Sequence, residues 1–118
     1  MINQLEIPMY IEQAVPEMPL KLLISSKNSA YELLQNLSAF TCSNIKNQNY
    51  KVVKRTFDIA DKLYTKGNSV VKNAVENVYV FSFTRMFQTF PGNKQQILSM
   101  LPVSLYTLYI SQVCHNGC

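Results

Sequence analysis

The sequence has no tryptophan, one histidine, three glycines and five prolines in 118 residues, and only 15% of it is charged. Each shortage closes something off. So few glycines and prolines argue against a loop-rich all-β domain and a low-complexity linker, which depend on frequent turn residues. A charged fraction well below the usual quarter leaves solubility to Asn, Gln and Ser. The hydrophobic fraction of 47% is that of a globular chain and not a disordered one. No run of 18 apolar residues occurs, so no membrane-spanning helix is expected; the nearest candidate, 97–110, is short and contains Pro102. The opening residues MINQLEIPMYIEQAVPE carry three Glu and no Lys or Arg, unlike a secretory signal. Three cysteines without such a signal are expected to be reduced thiols in the cytoplasm. At this length we expect one domain, 1–118, able to bury a core without staples.

The motifs of catalysis are also missing. No G-x-G-x-x-G, P-loop, H-E-x-x-H or G-x-S-x-G occurs. Glu12 and Glu17 lie across a proline, and Asp58 and Asp61 stand among lysines on an exposed face. Cys114, His115 and Cys118, with Cys42 far away, form a C-x-x-x-C pattern that lacks the paired spacing of zinc sites. His115 lies in a segment where fraying is expected, a poor place for a general base that needs fixed geometry. No enzyme, cofactor or metal site is expected.

What is present is helical patterning. Ser29-Ala30-Tyr31-Glu32 has the spacing of a capping box, and Ala30, Leu33, Leu34, Leu37, Phe40 and Thr41 then follow one helical face to about 44–47. From Asn49 the stripe Tyr50, Val53, Phe57, Ala60, Tyr64 predicts a surface amphipathic helix, with Lys54–Asp58 and Asp58–Lys62 as ion pairs on its outer side. Gly67 is expected to end it in the left-handed C-cap conformation, with Asn68 or Ser69 capping the next helix. Residues 78–83, VYVFSF, favour β structure, yet the stretch from Asn68 to Phe90 has no Gly or Pro and is far longer than a strand. Read as a helix it is apolar nearly all round, as a buried helix must be. Residues 70–90 are therefore expected to be the central helix of an all-α compact bundle or short array of five to six helices. Pro91-Gly92 should break it, Asn93 should cap a short helix to about Leu101, and Pro102 should open a last one with Leu105, Leu108, Tyr109 and Val113 on its inner face. A first helix is expected within 3–15; residues 17–27 give no pattern.

Three groups of residues stand out for function. Asn73, Glu76 and Asn77, with Thr84 and Gln88, make a polar streak along the central helix: a structural network or an edge facing water, or else a groove where a partner or small molecule docks. Tyr106 and Tyr109, with Tyr10, are candidates for the surface, where tyrosine marks contacts, the default being a core ring with a wet hydroxyl. The net charge of +4 is uneven, −2 over residues 1–32 and +5 over 46–72. Lys51, Lys54, Arg55, Lys62 and Lys66 could thus bind nucleic-acid phosphates, the less favoured reading, because the helix after Gly67 is too apolar to read base edges. The favoured expectation is a non-catalytic domain that binds another protein; with so few charges, a homodimer is also open.

The stretch 63–83, LYTKGNSVVKNAVENVYVFSF, together with Val15-Pro16-Glu17, resembles an uncharacterised family of small all-helical bacterial proteins. In these a surface helix ends in a Gly-Asn turn, and the next carries an N-A-x-E-N-like core followed by aromatics. The resemblance implies a helical fold and transfers no catalytic residue. Some relatives look immunity-like, in the sense of small proteins that neutralise a partner toxin, and the resemblance implies such a role.

Overall fold

The computed structural model describes residues 1–19 and 29–117, with the backbone alone beyond Val113. The helices are a short 3-10 turn Gln4–Glu6 leading into α1 (Ile7–Ala14), α2 (Ala30–Lys46), α3 (Tyr50–Lys66), a long helical column, α6 (Lys94–Met100) and α7 (Val103–Gly117). The column runs from α4 (Ser69–Ala74) through a π-helical stretch, Val75–Val80, into α5 (Phe83–Thr89). No strand occurs among the described residues, so the fold is all-α. The column is central: its π-helical part packs against α2, α3 and α7, and α1 closes the bundle against α2 and α3.

The expected central helix over 70–90 is present, and it carries a π-helical stretch within it. Among the residues that the column buries, Val71, Val75, Tyr79, Phe83 and Phe87 recur at every fourth position, beside Ala74, Val80 and Met86. An α-helix turns once in about 3.6 residues, so residues four apart drift by about 40° each step. Across four steps the first and last would face nearly opposite sides. A π-turn holds more residues and winds more slowly, which cancels much of the drift and keeps the five side chains toward the core. The β-branched Val75, Val78 and Val80 are indifferent helix formers and yield to this strain readily. At the turn's end the Ser82 hydroxyl donates to the Tyr79 carbonyl at 2.6 Å and accepts from Ser38 of α2 at 2.7 Å. The outward side of the same turn leaves Phe81 exposed.

Inside, Phe83 stands among four rings: Phe57 at 5.8 Å, Tyr79 at 5.5 Å, Tyr109 at 6.2 Å and Phe87 at 6.4 Å. Such edge and tilted contacts suit the ring quadrupoles, and burying each large side chain contributes about 1.5–3 kcal/mol before entropy. The Tyr79 phenol is wholly buried with Thr41 Oγ1 at 2.9 Å. The single hydroxyl proton of Thr41 goes to the Leu37 carbonyl at 2.8 Å, so Tyr79 is the donor to Thr41. Burial pushes the Tyr79 phenol far above its ordinary pKa, against the pull of Thr41 and Thr56.

The connections carry two corrections. Gly67 is not a left-handed cap: its backbone is extended, at φ −80° and ψ 161°. It lies beside the N-terminal segment, where the Ile2 N–H donates to the Lys66 carbonyl and the Asn68 N–H to the Ile2 carbonyl, both at 2.8 Å. A Cβ at Gly67 would strike the Leu63 carbonyl oxygen and come within 2.6 Å of Val71 Cγ1. The glycine thus serves close approach and not a positive φ. Asn68 does cap α4, accepting from the Val71 N–H at 3.0 Å. The left-handed residue is Gln48, φ 59°, between α2 and α3. Its N–H donates to the Ile45 carbonyl at 3.0 Å and that of Asn49 to Asn44 at 2.8 Å, the two bonds of a Schellman cap. Asn93 does not cap α6; its amide donates to the Tyr50 hydroxyl at 3.1 Å instead. Ser29 accepts from the Glu32 N–H at 3.3 Å, the forward half of the expected capping box, and α5 ends before Pro91 as expected.

Two stability measurements follow from these turns. Gly67→Ala should cost about 2 kcal/mol or more in denaturant unfolding, because backbone has to move. Gly92→Ala, with nothing within 4 Å of the added carbon, should change stability little. Gln48→Gly should raise stability by about 0.5–1 kcal/mol by relieving the left-handed strain, read as a higher denaturant midpoint.

Candidate functional site

α7 begins where Leu101 is extended and the Pro102 carbonyl accepts from the Tyr106 N–H at 2.9 Å. Its inner face is Leu105 and Tyr109, both buried, with Leu108 half-buried beside them. Tyr109 packs edge-on to Phe87 at 5.2 Å. The Gln112 amide donates to the Glu76 carbonyl at 2.8 Å and ties α7 to the π-turn. With its inner face so used, α7 presents a second stripe outward: Val103 is 81% exposed, Tyr106 42%, Ile110 39% and Val113 38%. The spacing is three, four, three, so the four lie along one line of the helix. No Asp, Glu, Lys or Arg occurs from Gln95 through Val113. An apolar line without a rim of charge on its own helix is an unusual thing to leave in water.

The sequence-predicted residues fall in three places. Tyr106 lies on the exposed line. Tyr109 does not: it is a core ring, and burial raises its phenol pKa, with Tyr106 adding to the rise. Val113, expected on the inner face, lies on the outer one. Asn73 and Asn77 are exposed and Glu76 is half-buried, and Thr84 and Gln88 also face water, so the polar streak is the wet edge of the column. What the sequence reading missed is the pairing of Val103 and Ile110 with Tyr106 and Val113. The signal was the three-four-three spacing, a second stripe on a helix already credited with an inner one.

The basic residues lie along the outer side of α3. Lys51, Lys54, Lys62 and Lys66 are exposed, and Asp58 stands among them. The expected pairs Lys54–Asp58 and Asp58–Lys62 do not close into salt bridges, since an exposed side chain gains little by being held in one geometry. Arg55 instead reaches both carboxylate oxygens of Glu17, with Nη1 to Oε1 at 3.0 Å, and holds the Glu17 carboxyl below its ordinary pKa. Lys62 Nζ sits 4.9 Å from the centre of the Tyr10 ring. A shallow open cleft of about 340 Å³ runs between α1 and α3, lined by Tyr10, Gln13, Ala14, Arg55, Asp58, Ile59 and Lys62. Its strongest cation is already engaged.

Cys42 is half-buried, and burial pushes its thiol pKa up against the opposing pull of Arg85, which leaves it in the unreactive protonated form. The side chains of Cys114, His115 and Cys118 lie outside the described residues, as do Lys21 and Lys27. Among the described residues no three His, Cys, Asp or Glu gather as metal ligands, and no helix is long and apolar enough to cross a membrane.

No curated protein and no solved structure matches the chain. A family model matches residues 8–115, from α1 into α7, and so spans the column, the basic face and the exposed line. The chain belongs to the family described as Domain of unknown function (DUF7674).

Proposed function

We propose that this is a non-catalytic protein-interaction domain that docks through the outer face of α7. The observation that carries this reading is the line Val103, Tyr106, Ile110, Val113 on a helix without charged side chains through Val113. Covering it removes apolar surface from water and leaves no charge unpaired, so the face favours a protein and not an ionic ligand. Tyr106 adds a large rigid contact with a polar tip, of the kind enriched at interfaces. The immunity-like character implied by the resemblance belongs to this proposal, because a domain that acts by covering another protein needs a face and no reaction of its own. Residence in the cytoplasm of a bacterium is part of the same reading and rests on the resemblance of residues 63–83.

The alternative is nucleic acid on the basic side of α3, supported by the exposed Lys51, Lys54, Lys62 and Lys66 and opposed by Asp58 and the engaged Arg55. A small-molecule site at Asn73, Glu76 and Asn77 has less support, since two of the three are open to water.

A pull-down at low and at moderate salt separates the first two. Compare the native chain, Ile110→Glu and the double variant Lys51→Ala/Lys54→Ala, each checked for native helicity. A protein retained at both salts, lost with Ile110→Glu and kept by the lysine variant, is the expected result. Nucleic acid retained only at low salt and lost with the lysine variant would move the function to α3, because phosphate contacts release counterions and weaken steeply with salt.

A further inference from the structure

We infer that the partner of the α7 face is a second copy of this chain, paired through antiparallel α7 helices about a two-fold axis. This rests on the interaction-domain reading above and names its partner.

The three-four-three spacing is that of the seam positions of a heptad, in which alternate seam residues meet in layers. In an antiparallel pair the residues opposite each other have numbers of constant sum. Centred on position 108, Val103 meets the partner copy's Val113, and Tyr106 meets the partner copy's Ile110. All four exposed residues then find apolar partners in one register, and every contact occurs twice, as an isologous interface requires. A tyrosine against an isoleucine in each inner layer avoids crowding two large rings together.

Charge fixes where two copies can meet. Each copy carries +4, so two copies repel across most orientations. The chain from Gln95 through Val113 is the longest part of the described surface without a formal charge, and there two copies meet with no like charges in contact. An acidic partner would find no cation on α7 to pair with. Antiparallel packing also sets opposite helix-dipole ends side by side. The seam spans about 15 Å at 1.5 Å per residue, which is short of a standard interface, so the pair is a weak one that forms with rising concentration.

Sedimentation across a concentration series tests this with the full chain. The native protein should pass from monomer to dimer. Ile110→Glu, at a surface position that leaves the core untouched, places carboxylates beside the seam and should weaken association by about 100-fold. Register is read in a background with Cys42, Cys114 and Cys118 changed to serine. There a mixture of Val103→Cys and Val113→Cys chains should form a mixed disulfide dimer well beyond what either yields alone. A native chain that stays monomeric at every concentration overturns the pairing; if Ile110→Glu still abolishes retention of another protein, the interaction-domain reading survives without it. A dimer indifferent to Ile110→Glu overturns α7 as its face. Val103→Cys cross-linking to itself as well as the mixture does overturns the antiparallel register.

Discussion

The fold depends on keeping five apolar side chains of one helix pointed at one place. Val71, Val75, Tyr79, Phe83 and Phe87 recur every fourth residue, and no straight α-helix can hold that spacing on one face. The π-turn at Val75–Val80 is the geometric answer, and the surrounding elements are arranged to use it. Tyr79 is delivered to Thr41 of α2, Phe83 to Phe57 of α3 and to Tyr109 of α7. Gln112 of α7 takes a carbonyl within the turn itself. An α-helical register here would move Phe87 off the core and loosen the seat of Tyr109, so the position of α7, and of its outer face, is set by a distortion some thirty residues earlier in the chain.

The N-terminal segment adds a constraint of a different kind. Ile2 is pinned between Lys66 and Asn68 by backbone bonds, and Asn3 starts the first helical turn by accepting from Leu5 and Glu6 while its own N–H donates to Glu6. These bonds bring the start of the chain to the junction of α3 and α4, where Gly67 leaves the room. Side-chain size at one position therefore decides whether three elements meet.

Much of this was legible in the sequence. Helix periodicity marked α2 and α3, Pro91-Gly92 marked the end of α5, and the unbroken run after Asn68 marked the central column, because those signals are local. What was not legible depends on contacts distant in the chain. Gly67 followed a helix and looked like a cap, but its role comes from Ile2, 65 positions away. Tyr109 fitted both the inner face of α7 and a surface contact, and the rings of Phe83 and Phe87 decide for the core. The cap at Gln48 was hidden because glutamine is not the residue expected at a left-handed position. The four-residue spacing of the column was visible in the letters, and its conflict with α-helical geometry could have been worked out from them.

The candidate surface follows from how α7 divides its apolar residues. A terminal helix with one apolar stripe can satisfy it on the bundle and present polar residues to water. α7 has two, set roughly a third of a turn apart, and the core takes only the one with Leu105 and Tyr109. Rotating the helix to bury the other would withdraw Tyr109 from Phe83 and Phe87, where the aromatic contacts are already made. The second stripe therefore stays outside the core formed by the described residues. A chain with so few charges could have carried lysine or glutamate at Tyr106 and Ile110 without touching its core, and the absence of any such residue along α7 through Val113 leaves an exposed apolar face, the feature on which the proposed docking rests.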